Sequence, residues 1–98
     1  MDSAGPTALT QADLTAFLNS HPGWRLADGA IVREWTFPGF LTAIAFVNRV
    51  AGLAESAGHH PDIDIRYNRV RLALVTHDAG GITSNDTSLA ARVEEIPA

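Results

Sequence analysis

Between Pro38-Gly39 and the Gly58 to Pro61 segment lies a stretch that leaves little choice of structure. Phe40, Ala43, Ile44, Val47, Ala51 and Ala54 recur at helical spacing, and Phe46, Val50 and Leu53 widen the apolar surface. Residues three and four apart share a helix face, so the spacing predicts one long helix with those first six residues on its buried side. Pro38 and Gly39 close what precedes it. Gly58 suits the position just past its end, and Pro61 prevents continuation. A helix this apolar needs a surface to cover.

The flanking sequence supplies that surface. Trp24 to Leu26 and Ile31 to Phe37 flank Ala27-Asp28-Gly29, where glycine admits the positive φ of a tight hairpin turn. Beyond the helix, Ile63, Ile65 and Tyr67 alternate with Asp62, Asp64 and Arg66. Val70, Leu72, Leu74 and Thr76 then alternate with Arg71, Ala73, Val75 and His77, with Asn68 between the runs. Period two in both runs predicts a second hairpin. Thr10 and Asp13 resemble a capping box ahead of Leu14, Phe17 and Leu18, a short helix ending before His21-Pro22-Gly23. Thr83 and Asp86 resemble another, ahead of Leu89, Val93 and Ile96. The predicted order α-β-β-α-β-β-α belongs to an α+β two-layer sandwich, a four-stranded antiparallel sheet with helices on one face. The other face is left for polar cover or a partner subunit.

Composition excludes several classes of function. Ninety-eight residues with a hydrophobic share of 46% predict one folded domain spanning 1–98. A chain this short buries a limited fraction of its surface and often gains stability by self-association. The net charge is −4, all seven basic residues are Arg, and no basic run occurs, which argues against non-specific nucleic-acid binding. Without cysteine there is no disulfide or thiol chemistry. The opening residues Met1-Asp-Ser-Ala-Gly-Pro lack a signal pattern, and no segment approaches membrane-spanning length, so a soluble cytoplasmic protein is expected.

Chemistry concentrates in Glu55-Ser-Ala-Gly-His59-His60-Pro61 and in Thr76-His77-Asp78. Imidazole titrates near neutrality, so it can both donate and accept protons. His59 and His60 follow a helix C-terminus, whose exposed carbonyls favour imidazolium; a histidine that only meets the helix dipole is the competing reading. His77 is expected at the end of the fourth strand, on the face opposite Leu72 and Leu74. Glu55 stands one turn before His59 and is placed to pair with it. Asp86 lies on the inward stripe of the last helix and reads first as the capping partner of Thr83. The three histidines and a carboxylate suffice in number for zinc or iron, yet no pair has the i, i+4 spacing that directs two ligands to one point, and no metal or cofactor is expected.

These segments resemble the pterin-4a-carbinolamine dehydratase family. The resemblance rests on Glu55-x-x-x-His59-His60-Pro61, Tyr67-Asn68-x-Val70, Thr76-His77-Asp78-x-Gly80-Gly81-Ile82-Thr83 and Asp86-x-x-Leu89-Ala90. Gly23-Trp24, Phe37-x-x-Phe40 and Phe46-x-x-x-Val50-Ala51 match upstream. It implies the same sandwich fold, assembled as a homodimer or homotetramer. It implies a hydro-lyase that removes water from 4a-hydroxytetrahydropterin to give quinonoid dihydropterin, in tetrahydrobiopterin recycling. By resemblance His59, His60 and His77 are the catalytic positions, and Glu55, Pro61, Thr76, Asp78 and Asp86 contact or frame the pterin. Some members also partner a transcription factor, and related domains assist assembly of a carbon-fixing enzyme. Three departures bear on pterin contacts: Gly58 stands where some members carry an acidic residue, Ile63 where an aromatic occurs, and Asn85 where an Arg occurs.

Overall fold

The computed structural model describes residues 7–97; the signal-pattern reading of the first six residues lies outside them. Eight segments follow in chain order. These are α1 (Gln11–Ser20), β1 (Arg25–Ala27), β2 (Ala30–Thr36), α2 (Phe40–Ala57), β3 (Asp62–Arg66), β4 (Arg69–Leu74), a 3-10 turn (His77–Ala79) and α3 (Ser84–Glu94). The strands form one antiparallel sheet in the order β1-β2-β4-β3. This is the predicted α+β arrangement.

Register decides which face is covered. Ile31 stands opposite Leu74, Arg33 opposite Leu72 and Trp35 opposite Val70. Ile31, Val70, Leu72 and Leu74 join a single apolar cluster with Leu14 of α1, Ala43, Phe46, Val50 and Ala54 of α2, and Leu89, Ala90 and Val93 of α3. All three helices therefore pack on one sheet face. At one end Phe46 gathers Trp35 and Phe37 at centroid separations of 4.8 and 5.1 Å, and Trp24 meets Trp35 edge-on at 5.9 Å. Such tilted and edge-on pairs suit the aromatic quadrupole.

Local chemistry fixes the boundaries. Asp28 and Gly29 both take positive φ, 52° and 80°, as the two-residue hairpin turn requires. The second hairpin turns on Tyr67 and Asn68, so Tyr67 belongs to the turn and not to the strand. Its φ of 55° is unusual for a bulky residue. Asn68 holds the turn in place: its carbonyl accepts from the Phe37 N–H and its side-chain amide donates to the Phe37 carbonyl, each at 2.8 Å. Thr10 caps α1 by accepting from the Asp13 N–H at 3.1 Å, one half of the anticipated capping box. At the other end of α1, His21 Nδ1 lies 2.9 Å from Glu94 Oε1, whose second oxygen accepts from Arg33 at 2.8 Å. That cluster ties α1 and β2 to the end of α3.

The burial phase of α2 differs from expectation. Ala43, Phe46, Val50 and Ala54 are buried, whereas Phe40 and Ala51 face outward. A helix apolar nearly all round carries no local signal for which side the sheet will take. At 18 residues with mean hydropathy 1.2, α2 also reaches the lower limit of membrane-spanning length, against the reading that no segment does. It is nevertheless the central helix of the core cluster. The core side of β3 is likewise open: Ile63, opposite Leu72, remains 38% exposed because β3 is an edge strand.

Leu72 is fully buried at the middle of the covered face. Leu72→Ala is expected to cost about 2–5 kcal/mol, lost contacts plus cavity, measured by urea unfolding at constant m-value.

Candidate active site

The end of α2 is shaped by Gly58. With φ 65°, its N–H bonds to the Glu55 carbonyl at 3.2 Å, and the next N–H, of His59, bonds to the Ala54 carbonyl at 3.1 Å. This 5→2 and 6→1 pair is a Schellman closure, which needs a left-handed residue and is most easily met by glycine. The departure at Gly58 thus has a local backbone cause. The turn reverses the chain and sends His59 back toward the start of α3.

There His59 Nε2–H donates to Asp86 Oδ1. Asp86 is completely buried. Its Oδ2 accepts from the Thr83 N–H and from the Thr76 hydroxyl, both at 2.8 Å. The Thr83 hydroxyl lies 2.8 Å from that of Thr76 and accepts the Asn85 N–H at 3.2 Å. With Thr76 donating to the carboxylate, Thr83 donates to Thr76, and every hydroxyl proton has an acceptor. A buried carboxylate is tolerable only when its oxygens are satisfied in this way. Asp86 therefore caps α3 and holds His59 at once, where the sequence indicated mainly a cap.

The carboxylate fixes which imidazole nitrogen is available. Nε2 carries the proton shared with Asp86, so Nδ1 is left as the remaining polar atom of His59. It has no hydrogen-bond partner among the described residues, and the one buried side-chain nitrogen or oxygen without a partner there is Trp24 Nε1. Nδ1 is thus open to the surface. Orientation of one ring nitrogen by a carboxylate on the other is the usual way a histidine is prepared for proton transfer.

The other candidates divide around this clasp. His60 Nε2 lies 2.9 Å from Glu55 Oε1, so Glu55 pairs with His60 and not with His59. The Schellman turn rotates His59 inward and leaves His60 exposed beside the last turn of α2. Pro61 is half-buried between His60 and β3. The strand expected to run to His77 ends at Leu74. Thr76 then pairs with Gly81 through 3.0 and 3.3 Å backbone bonds, and the four-residue excursion between them coils the 3-10 turn. His77 and Asp78 open that turn and are exposed, with no side-chain partner among the described residues. His77 follows directly on Thr76, whose hydroxyl touches Asp86, so one network links His59, Asp86, Thr76 and the base of the His77 turn. Thr83 is the member that motif reading undervalued. Its position three before Asp86 marked a cap, while its place in the carboxylate network required the tertiary fold.

Two histidines just beyond α2, a third beyond β4 and a buried carboxylate at the start of α3 thus stand on an α+β sandwich. Residues 7–96 match the family described as Pterin 4 alpha carbinolamine dehydratase, and the chain belongs to that family. A Chloroflexus aurantiacus protein provisionally named pterin-4-alpha-carbinolamine dehydratase is 58% identical over 88 residues, covering 90% of this chain and 95% of that one. A Brucella melitensis crystal structure, titled transcriptional coactivator/pterin dehydratase, superposes with TM-score 0.85 at 34% identity, covering 90% of this chain and 96% of its own. A pterin dehydratase-like protein described as a RuBisCO assembly factor in the alpha-carboxysome gives TM-score 0.61 at 25% identity over 74% of this chain and 86% of its own.

A Cβ added at Gly58 meets nothing within 4 Å, so its substitution tests backbone strain alone. Gly58→Ala is expected to cost about 1 kcal/mol in chemical denaturation, and Gly58→Asn less than that.

Proposed function

We propose that this protein dehydrates 4a-hydroxytetrahydropterin to quinonoid dihydropterin by histidine acid–base catalysis, the whole chain acting as one domain. The observation that carries the reading is the orientation of His59 by a buried, fully bonded Asp86, with Nδ1 left open. In the reaction the C4a–O bond breaks and the oxygen takes a proton to leave as water. N5 gives up its proton, and the electron pair forms the N5=C4a bond. One group must donate and another accept, and two imidazoles do both near neutral pH. His59, its Nε2–H committed to Asp86, presents Nδ1 as the base. His60, paired with Glu55, donates to the departing hydroxyl, and His77 binds that hydroxyl from the facing turn. Pro61, Thr76, Asp78 and Asp86 frame the pterin or hold these groups. The physiological setting that fits is tetrahydrobiopterin recycling in the cytoplasm.

The same reading takes the protein to be a homodimer or homotetramer. Support comes from the outward side of α2, where Phe40 is 48% and Leu41 79% exposed, next to Ala45, Ala51 and Gly52. Small residues let a second copy of the helix approach closely, and the exposed apolar side chains gain by burial. Leu41→Asp is expected to lower the oligomeric state in sedimentation velocity.

The deciding assay follows 4a-carbinolamine dehydration against its spontaneous rate. Wild type is expected to accelerate it, and His59→Ala and His60→Ala each to lose about 10²–10⁴ of that acceleration. Asp86→Asn is expected to lower kcat more than it raises KM, because it orients the base without binding the substrate. A wild-type rate equal to the spontaneous one, with the oligomer intact, would favour a non-catalytic assembly module, the role named for the RuBisCO assembly factor.

A further inference from the structure

The uncovered sheet face carries a pattern that the dehydratase reading does not use. Its central rung alternates in sign: Asp64 stands opposite Arg71, and Arg71 opposite Glu34. Glu34 lies 3.8 Å from Arg25 and 3.9 Å from Arg71. Alternation of this kind is what a solvated sheet face selects. The next rung breaks it. Arg66 stands directly opposite Arg69, and Arg69 opposite Thr36. Two arginines and a threonine share one rung of this face, and Arg69 has no carboxylate partner among the described residues.

Like charges directly opposite on an antiparallel pair are unfavourable. A second local cost sits beside them, since Tyr67, between the two arginines in sequence, holds a positive φ of 55°. Asn68 locks that turn to Phe37, so the rung is held in place and cannot relax by slipping. Around it the face sinks into a cavity of about 370 Å³, lined by Thr36, Arg66, Arg69 and Arg71 together with Glu34 and Asp64. That volume suits a small molecule. Glu34 is shared between Arg25 and Arg71 in long, exposed contacts. Arg66 donates to Asp64 at 3.2 Å, but the pair is 78% and 48% exposed and so is weak enough to yield.

We propose that this rung is a binding site for the phosphoryl group of a small ligand, held by Arg66, Arg69 and the Thr36 hydroxyl. Planar guanidinium forks match phosphoryl oxygens, and a dianion between Arg66 and Arg69 turns their opposition into attraction. The site lies at the turn end of the β3–β4 hairpin, roughly 13 Å by strand rise from Asp62, the first residue of β3 after His60-Pro61, and on the opposite face from the helices. It is therefore independent of the dehydration site.

The probe is inorganic pyrophosphate titrated into ¹⁵N-labelled protein at constant ionic strength, read by amide shifts. Saturable shifts centred on Thr36, Arg66, Tyr67 and Arg69 are expected. Arg69→Gln should weaken binding at least about tenfold, while thermal stability without ligand holds or rises because the like-charge opposition is gone. Asp64→Asn should tighten binding by releasing Arg66. Both variants should keep the wild-type dehydration rate. Shifts that never saturate, that centre on His59 and His77, or that survive Arg69→Gln unchanged would overturn the assignment. Tighter binding of a single-stranded oligonucleotide than of pyrophosphate would overturn the small-ligand class.

Discussion

The carboxylate of Asp86 is the interaction on which the rest of the site depends. It receives His59 from the end of α2, Thr76 from beyond β4 and the Thr83 N–H from the start of α3. Three chain ends thus meet on two oxygen atoms. Removing the carboxylate would strand a buried hydroxyl, a helix-terminal N–H and a ring nitrogen together, each costly to leave unpaired. Stability and the orientation of His59 are therefore not separable at this position. The same bonds that make the burial tolerable set the tautomer of His59.

Around that clasp the protein divides its surfaces by chemistry. The helix-covered face of the sheet is apolar and holds the core. The ends of the elements hold titratable groups, and the uncovered face holds arginines matched with acids over most of its length. Among the described strand residues Arg33 alone carries charge onto the covered face, at its rim, where Glu94 and the Trp35 ring 5.1 Å away receive it. Absence of lysine suits this plan. Guanidinium groups make paired, planar contacts that a flexible ammonium does not.

Much of this was legible in the sequence, for identifiable reasons. The alternation of Val70, Leu72 and Leu74 predicted a strand and its buried side, because a sheet residue's face is set by parity alone. Gly58 and Pro61 marked the end of α2 correctly because a left-handed residue leaves few alternatives. The inward side of α2 was misjudged at Phe40 and Ala51, since both sides of that helix are apolar and tertiary packing alone chooses between them. Pairing was hardest to read. Glu55 is one turn from His59 in sequence, yet the Schellman turn carries His59 away and brings His60 to it. Asp86 declared its cap, which is local, and concealed its histidine, which is not.

The pairing of β2 with β4 places Ile31 opposite Leu74, and all of α2 and β3 lie within the loop that this pairing closes. The helices and the β3–β4 hairpin form from near neighbours along the chain, whereas this central ladder joins distant segments at a cost in loop-closure entropy. His59 lies inside that loop and Asp86 outside it. Their hydrogen bond joins a residue within the loop to one beyond it. A chain in which these segments have not met therefore has every histidine of the proposed site and no clasp on His59.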